Sequence, residues 1–115
     1  GMCNREFFGK CRKGSYFINT SRGELVDDEA LLEALENGTI AMAGLDTLDH
    51  EPVQKDHPML SWPREILDRI VFSPHIGGIT GSSFRRGYGM IWDDIEKVAK
   101  GEVPGHIVNW KELEQ

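Results

Sequence analysis

The sequence lacks any apolar run approaching the roughly 18 residues that span a bilayer. No charged, then apolar, then small-residue leader opens it either, so a cytoplasmic setting without a membrane partner is the expectation. Positive charge is in deficit. Thirteen Lys and Arg face nineteen Asp and Glu, the net charge is −6, and no basic block interrupts that balance. Neutralising a phosphate backbone needs clustered cations, so no nucleic-acid partner is expected. Cysteine is scarce as well. Cys3 and Cys11 have neither metal-ligand spacing nor a nearby histidine, and they read as ordinary thiols in a reducing compartment, with no metal site. No internal repeat or low-complexity tract is visible. What remains is 115 residues with 39% hydrophobic and 28% charged side chains, the balance of one modest globular domain.

Local patterns give that domain its wiring. Residues 4–12, NREFFGKCR, suit a short amphipathic helix capped by Asn4, and Lys13-Gly14 reads as a turn. Tyr16-Phe17-Ile18 marks a strand over about 15–20. A second helix follows, capped by Asp27 or Asp28, faced by Leu31, Leu32 and Leu35, and stopped at Asn37-Gly38. TIAMAGLDTL reads as a second strand, and its continuous apolar start predicts cover on both faces. A long proline-containing loop with at most one helical turn leads to a third strand, RIVFSPH, and a glycine-rich turn. The last helix is expected to start near Thr80–Ser83 and to end at about Lys100. Phe84, Tyr88, Ile91, Ile95 and Val98 form its apolar stripe, and close packing would account for Gly87 and Gly89 inside it. Strand, helix, strand, loop, strand, helix is the order of an α/β protein with a parallel sheet of about three strands.

A nucleotide-binding α/β domain normally carries G-x-G-x-x-G after its first strand. Gly78 and Gly81 have the spacing of its last two glycines, but Ile76 stands where the first belongs. Gly87 and Gly89 make the opening pair, but Trp92 occupies the third position. The complete fingerprint is absent.

Three polar residues follow the three strands: Arg22, Glu51 and His75. Parallel neighbours bring their C-terminal ends to one sheet edge, where ligands of open α/β sheets bind. An arginine fork fits a carboxylate at two points, a histidine passes protons near neutral pH, and a carboxylate behind the imidazole fixes its orientation. Together they suit oxidation of a 2-hydroxy acid or reduction of a 2-keto acid. Taken one at a time, each also reads as an ordinary surface or turn residue. His50 adjoins Glu51 but lacks a strand-end place and reads as structural, His57 and His106 read as solvated loop residues, and Trp62 and Trp92 as packing residues.

FINTSRGELVDDEALLEAL, AMAGLDTLDHEP and VFSPHIGGITGSS, in this order, resemble the coenzyme-domain signatures of the D-isomer-specific 2-hydroxyacid dehydrogenases. The resemblance runs from about Met2 to Asn109 and corresponds to roughly the C-terminal third of that family. It implies a partial Rossmann-like sheet, with residues 1–115 as the C-terminal portion of a dinucleotide-binding domain. The helix at about 82–100 would be the connector to a substrate domain, and 101–115 the tail. It further implies Arg22 as the substrate-binding residue, Glu51 as partner of the catalytic histidine, and His75 as the acid/base. Cofactor contacts map onto Thr20, Ser21, Arg22, Asp46, His75, Ile76, Gly77 and Gly78, with Asp46 reaching the nicotinamide amide. The implied cofactor is NAD or NADP, NAD favoured, the substrate a small 2-keto or 2-hydroxy acid, and the assembly a homodimer. Without the phosphate-binding glycines, the chain alone is expected to be inactive. Two other readings stay open: a non-enzymatic module for self-association, and a different α/β enzyme using an Arg-Glu-His site without nicotinamide.

Overall fold

The computed structural model describes residues 1–109, which fall into two compact units, 1–77 and Gly78 onward. The first unit opens with α1 (Arg5–Gly9), whose N-terminus is capped by the Asn4 side chain accepting the Phe7 N–H. β1 (Ser15–Asn19) follows, then a 3-10 turn at Gly23–Leu25 and α2 (Asp28–Glu36). Asp27 caps α2 by accepting the Ala30 N–H, and the chain leaves the helix through Gly38 at φ 74°. β2 (Ile40–Leu45) leads into the long loop, which holds a 3-10 turn at Pro58–Ser61 and the single turn α3 (Arg64–Leu67). β3 (Ile70–Phe72) closes the unit. The three strands are parallel in the order β1-β2-β3. An isolated parallel bridge between Cys3 and Val26, which the sequence pattern did not announce, ties the N-terminus to the segment before α2.

The core lies on one face of this sheet. Leu31 and Leu35 of α2 are fully buried against Ile40, Ala43 and Leu45 of β2, joined by Ile66 of α3 and Ile70 of β3. Each such leucine contributes about 1.5–3 kcal/mol by leaving water. Phe7, Phe8 and Phe17 pack edge to face beside them, and Arg5 pins α1 to α2 through Glu33 at 2.7 and 2.8 Å.

The expected cover on both faces is not found in these residues. Tyr16, Ile18, Met42 and Val71 alternate with the core positions and are exposed. The physical reason is topological. Both crossovers step across the sheet in the same direction, and right-handed crossovers in one direction lie on one face.

The second unit is α4 (Gly81–Ala99), begun by a reciprocal capping box between Thr80 and Ser83. No residue of α4 is buried, and the Phe84–Val98 stripe is exposed. Nothing lies within 4 Å of a Cβ placed at Gly87 or Gly89, so the expected close packing there is not present, and Trp92 is exposed rather than packed. Asp94 folds the chain back by accepting the Gly105 N–H at 2.7 Å and the His106 Nδ1 at 2.9 Å, so His106 is paired. The end of the expected tail, 110–115, lies outside the described residues.

Candidate active site

Register places the strand ends side by side. Asn19 is opposite Leu45, and Leu45 opposite Phe72, so the loops after all three strands leave from one edge. Each loop is then fastened to the next. Buried Asn19 accepts the Ser21 N–H at 3.0 Å and donates through Nδ2 to the Arg22 carbonyl (2.8 Å) and to Thr47 Oγ1 (3.3 Å). Gly23 lies so close to the Leu48–Asp49 backbone that an added Cβ would come within 1.9 Å of the Leu48 carbonyl carbon. Only glycine allows that approach.

Asp46, 5% exposed, organises the third loop. Its carboxylate accepts Ser73 Oγ–H at 2.5 Å, the Ile76 N–H at 3.0 Å and the Gly77 N–H at 2.7 Å. Those donors, Ser73 first and then the Gly77 and Ile76 amides, hold its carboxyl below the usual carboxylate range. The Asp46 backbone carbonyl also accepts the His75 N–H at 2.8 Å. His75 itself sits at φ 55°, a left-handed conformation that a non-glycine residue keeps only when its surroundings over-determine it. The bonds from Asp46 supply that constraint.

The result is a pair. His75 Nδ1 and Glu51 Oε2 are 2.5 Å apart, and Glu51 Oε1 accepts the Leu48 N–H at 2.8 Å. These contacts, His75 first and Leu48 second, hold the Glu51 carboxyl below its ordinary value. An ionised carboxylate can only accept, so Nδ1 carries the proton and Nε2 is left to exchange one. The pair borders an apolar cleft of about 780 Å³ whose walls include Leu48, Val53, Leu60 and Phe72.

Of the residues singled out from sequence, Glu51, His75, Asp46, Ile76 and Gly77 are brought into one bonded network. Thr20, Ser21 and Arg22 lie exposed at the same edge. Arg22 donates to the Ser21 carbonyl at 2.8 Å and, among the described residues, makes no hydrogen bond with Glu51 or His75. Gly78 opens the second unit, where its carbonyl accepts the Thr80 N–H and the Ser83 hydroxyl. His50 is exposed and pairs with Asp49 at 2.9 Å. His57 departs from the solvated reading: it is 7% exposed and bonded through both ring nitrogens. Asn19, Gly23 and Ser73 were not anticipated. Asn19 and Gly23 had a signal, since Asn two residues before an amide makes an Asx turn and Gly marks a close approach.

A family model described as D-isomer specific 2-hydroxyacid dehydrogenase, NAD binding domain, matches residues 1–77. The chain belongs to the D-isomer specific 2-hydroxyacid dehydrogenase family. The match covers the first compact unit, which contains the Glu51–His75 pair and the Asp46 network. Among curated members, a glyoxylate reductase of Thermofilum pendens is 38% identical over 94% of this chain and 30% of its own length. A human glyoxylate reductase/hydroxypyruvate reductase is 44% identical over 70% of the chain and 23% of its own length. The chain thus spans about a third or less of the length of these two curated relatives. Among solved structures, a family member from Xanthobacter autotrophicus in complex with NADPH and MES superposes with a TM-score of 0.72, at 31% identity, over 95% of this chain and 41% of that one. D-lactate dehydrogenase with NAD+ from Lactobacillus jensenii gives 0.67 at 33%, over 94% and 35%.

Proposed function

We propose that this chain supplies the proton- and carboxylate-handling side of an NAD(P)-dependent oxidoreductase acting on small 2-hydroxy and 2-keto acids. The observation that carries the reading is the 2.5 Å contact between His75 Nδ1 and Glu51 at the edge where Arg22 also lies. In reduction, His75 Nε2 gives its proton to the forming hydroxyl oxygen, and in oxidation it takes that proton back. Glu51 holds the imidazole in the productive tautomer and stabilises its charged form. Arg22 grips the substrate carboxylate with its two-pronged fork and polarises the neighbouring carbonyl. Relatives named as glyoxylate and hydroxypyruvate reductases, and family structures with NADPH and NAD+, support this substrate and cofactor class.

The residues fit the nicotinamide end of such a cofactor. A carboxylate offers about four acceptor sites, Asp46 uses three of them, and one remains for an amide N–H. Gly77 leaves the turn backbone uncovered by a side chain beside Asp46 and Thr20. When bound, the cofactor supplies or receives hydride at the substrate's C2. The pyrophosphate end has no counterpart, since the sequence carries no G-x-G-x-x-G.

The test is reduction of glyoxylate or hydroxypyruvate, followed by NADH absorbance, in a complete enzyme carrying these segments. His75→Ala is expected to lower kcat by about 10²–10⁴-fold. Undiminished turnover would remove the proposal. A second reading, association of two copies, is favoured by the bare sheet face of Tyr16, Ile18, Met42 and Val71 and by the exposed α4 stripe. Sedimentation should give a dimer mass, and a monomer at working concentration refutes it.

A further inference from the structure

Glu51 does its proposed work from a loop that has little to hold it. Residues 50–56 are exposed without exception, and between Leu48 and Pro58 the one buried residue is His57. Its imidazole joins the two ends of that loop. Nε2 is 3.1 Å from the Asp49 carbonyl oxygen, and Nδ1 accepts the N–H of Met59, a residue 1% exposed in the core. A carbonyl can only accept and an amide N–H can only donate, so these partners fix the Nε2–H tautomer. The backbone at 57 is itself anchored, its N–H donating to the Gln54 carbonyl at 3.1 Å and its carbonyl accepting the Leu60 N–H at 2.9 Å.

The geometry points to His57 as a positioning residue for Glu51: a tether running from the core at Met59 to the peptide two residues before the carboxylate. This rests on the site reading above, in which Glu51 orients His75. The tether acts in series with the Leu48 N–H that holds Glu51 Oε1, because Asp49 directly follows Leu48. Gly23 packs against the backbone at Leu48–Asp49, but past Asp49 the Nε2–H donor is, among the described residues, the one bond from a buried side chain to this loop, and without it Glu51 is free to leave His75. Asp28, Asp49 and His50 are the charged or titratable neighbours on this side, and burial first, then the nearby Asp49 and Asp27 carboxylates, push the Asp28 carboxyl up.

The experiment follows the Glu51 side-chain carboxyl by ¹³C NMR titration of this chain, assigned with Glu51→Gln. The parent midpoint is expected below the ordinary glutamate value of 4.5, because His75 and the Leu48 amide stabilise the carboxylate. His57→Asn keeps an acceptor for the Met59 N–H but, being shorter, has no donor at the Nε2 position, and is expected to raise the midpoint toward the ordinary glutamate value with the core spectrum unchanged. His57→Gln keeps a donor at the Nε2 position and is expected to hold the midpoint low. The proposal is overturned if the Asn change leaves the midpoint low, or if the Gln change raises it equally. It is also overturned if the Asn change abolishes the native spectrum, which would make His57 a determinant of the fold itself. None of these readouts needs cofactor or substrate. A complete enzyme without dehydrogenase activity would therefore sink the proposed function and leave the tether standing.

Discussion

Gly23→Ala tests whether the packing of one loop against the next is what presents the Glu51–His75 pair. The new Cβ would lie 1.9 Å from the Leu48 carbonyl carbon, 2.1 Å from the Asp49 nitrogen and 2.2 Å from the Leu48 oxygen. Ordinary contact begins at 3.4 Å, so the two backbones must part by about 1.5 Å. Neither side has a flexible side chain to yield, which puts the cost at the upper end of the overpacking range, about 3 kcal/mol. In a unit of this size each kcal/mol lowers Tm by roughly 4–8 °C, so calorimetry is expected to show a fall of at least about 10 °C. The displaced peptide lies between the Leu48 N–H that holds Glu51 and the Asp49 carbonyl that meets His57. Glu51 should therefore lose its partners, and its carboxyl should titrate nearer 4.5. In a complete enzyme, a displacement of this order is expected to lower kcat about 10²-fold. An unchanged Tm together with an unchanged Glu51 titration would refute the reasoning, because the close approach would then hold nothing in place.

Three further outcomes follow from the same geometry. Leu31→Ala removes a fully buried side chain and should cost about 2–5 kcal/mol in urea unfolding, whereas Ile95→Ala on exposed α4 should stay within about 0.5 kcal/mol; equal losses would contradict the assigned core. In the first unit the carboxyls of Glu33, Asp46 and Glu51 sit below their ordinary values, held chiefly by Arg5, Ser73 and His75 respectively, so their stabilisation is present above the ordinary carboxyl range and is lost as pH falls through the lower folded values. Asp28, raised chiefly by burial, acts with the opposite sign, and three against one predicts net acid destabilisation that Asp46→Asn should flatten when unfolding midpoints are plotted against pH. In a complete enzyme, Arg22→Lys should raise KM for the keto acid roughly 10- to 100-fold with little change in kcat, since a point charge cannot replace the fork; an equal loss in kcat would move Arg22 into the chemical step.

Much of the first unit was legible because its signals are local. Asn4 and Asp27 cap the helices they precede, Leu31 and Leu35 fall on the buried face, and Arg22, Glu51 and His75 each follow a strand by only a few residues. Chemistry and strand order allowed a pairing of Glu51 with His75, and the family resemblance singled it out. The supports were not legible. Asn19 reaches Thr47 across 28 positions, Asp46 reaches Gly77 across 31, and no spacing rule brings such partners together. His57 shows the limit most directly. A histidine before proline in a polar loop carries the composition of a solvated residue, and only the return of the chain over Asp49 buries it.

One structural expectation that failed, cover on both faces of the sheet, has a physical cause that bears on function. TIAMAGL reads as a strand covered twice because Ile40, Met42, Ala43 and Leu45 leave no polar face. Burial agrees for Ile40, Ala43 and Leu45 and disagrees for Met42, which lies exposed beside Tyr16. A sheet whose order advances 1-2-3 receives its right-handed crossovers on one side only, so these residues cannot supply the second layer that their own sequence anticipates. In an open α/β sheet the layers change sides where strand order reverses, and that reversal is also where the ligand crevice forms. The Glu51–His75 pair needs only the edge shared by three parallel strands, whose ends lie side by side. A dinucleotide needs the reversal as well, which these strands do not contain. The proposed proton handling is thus separable from cofactor grip, and the Glu51–His75 geometry can be measured in the chain without any cofactor.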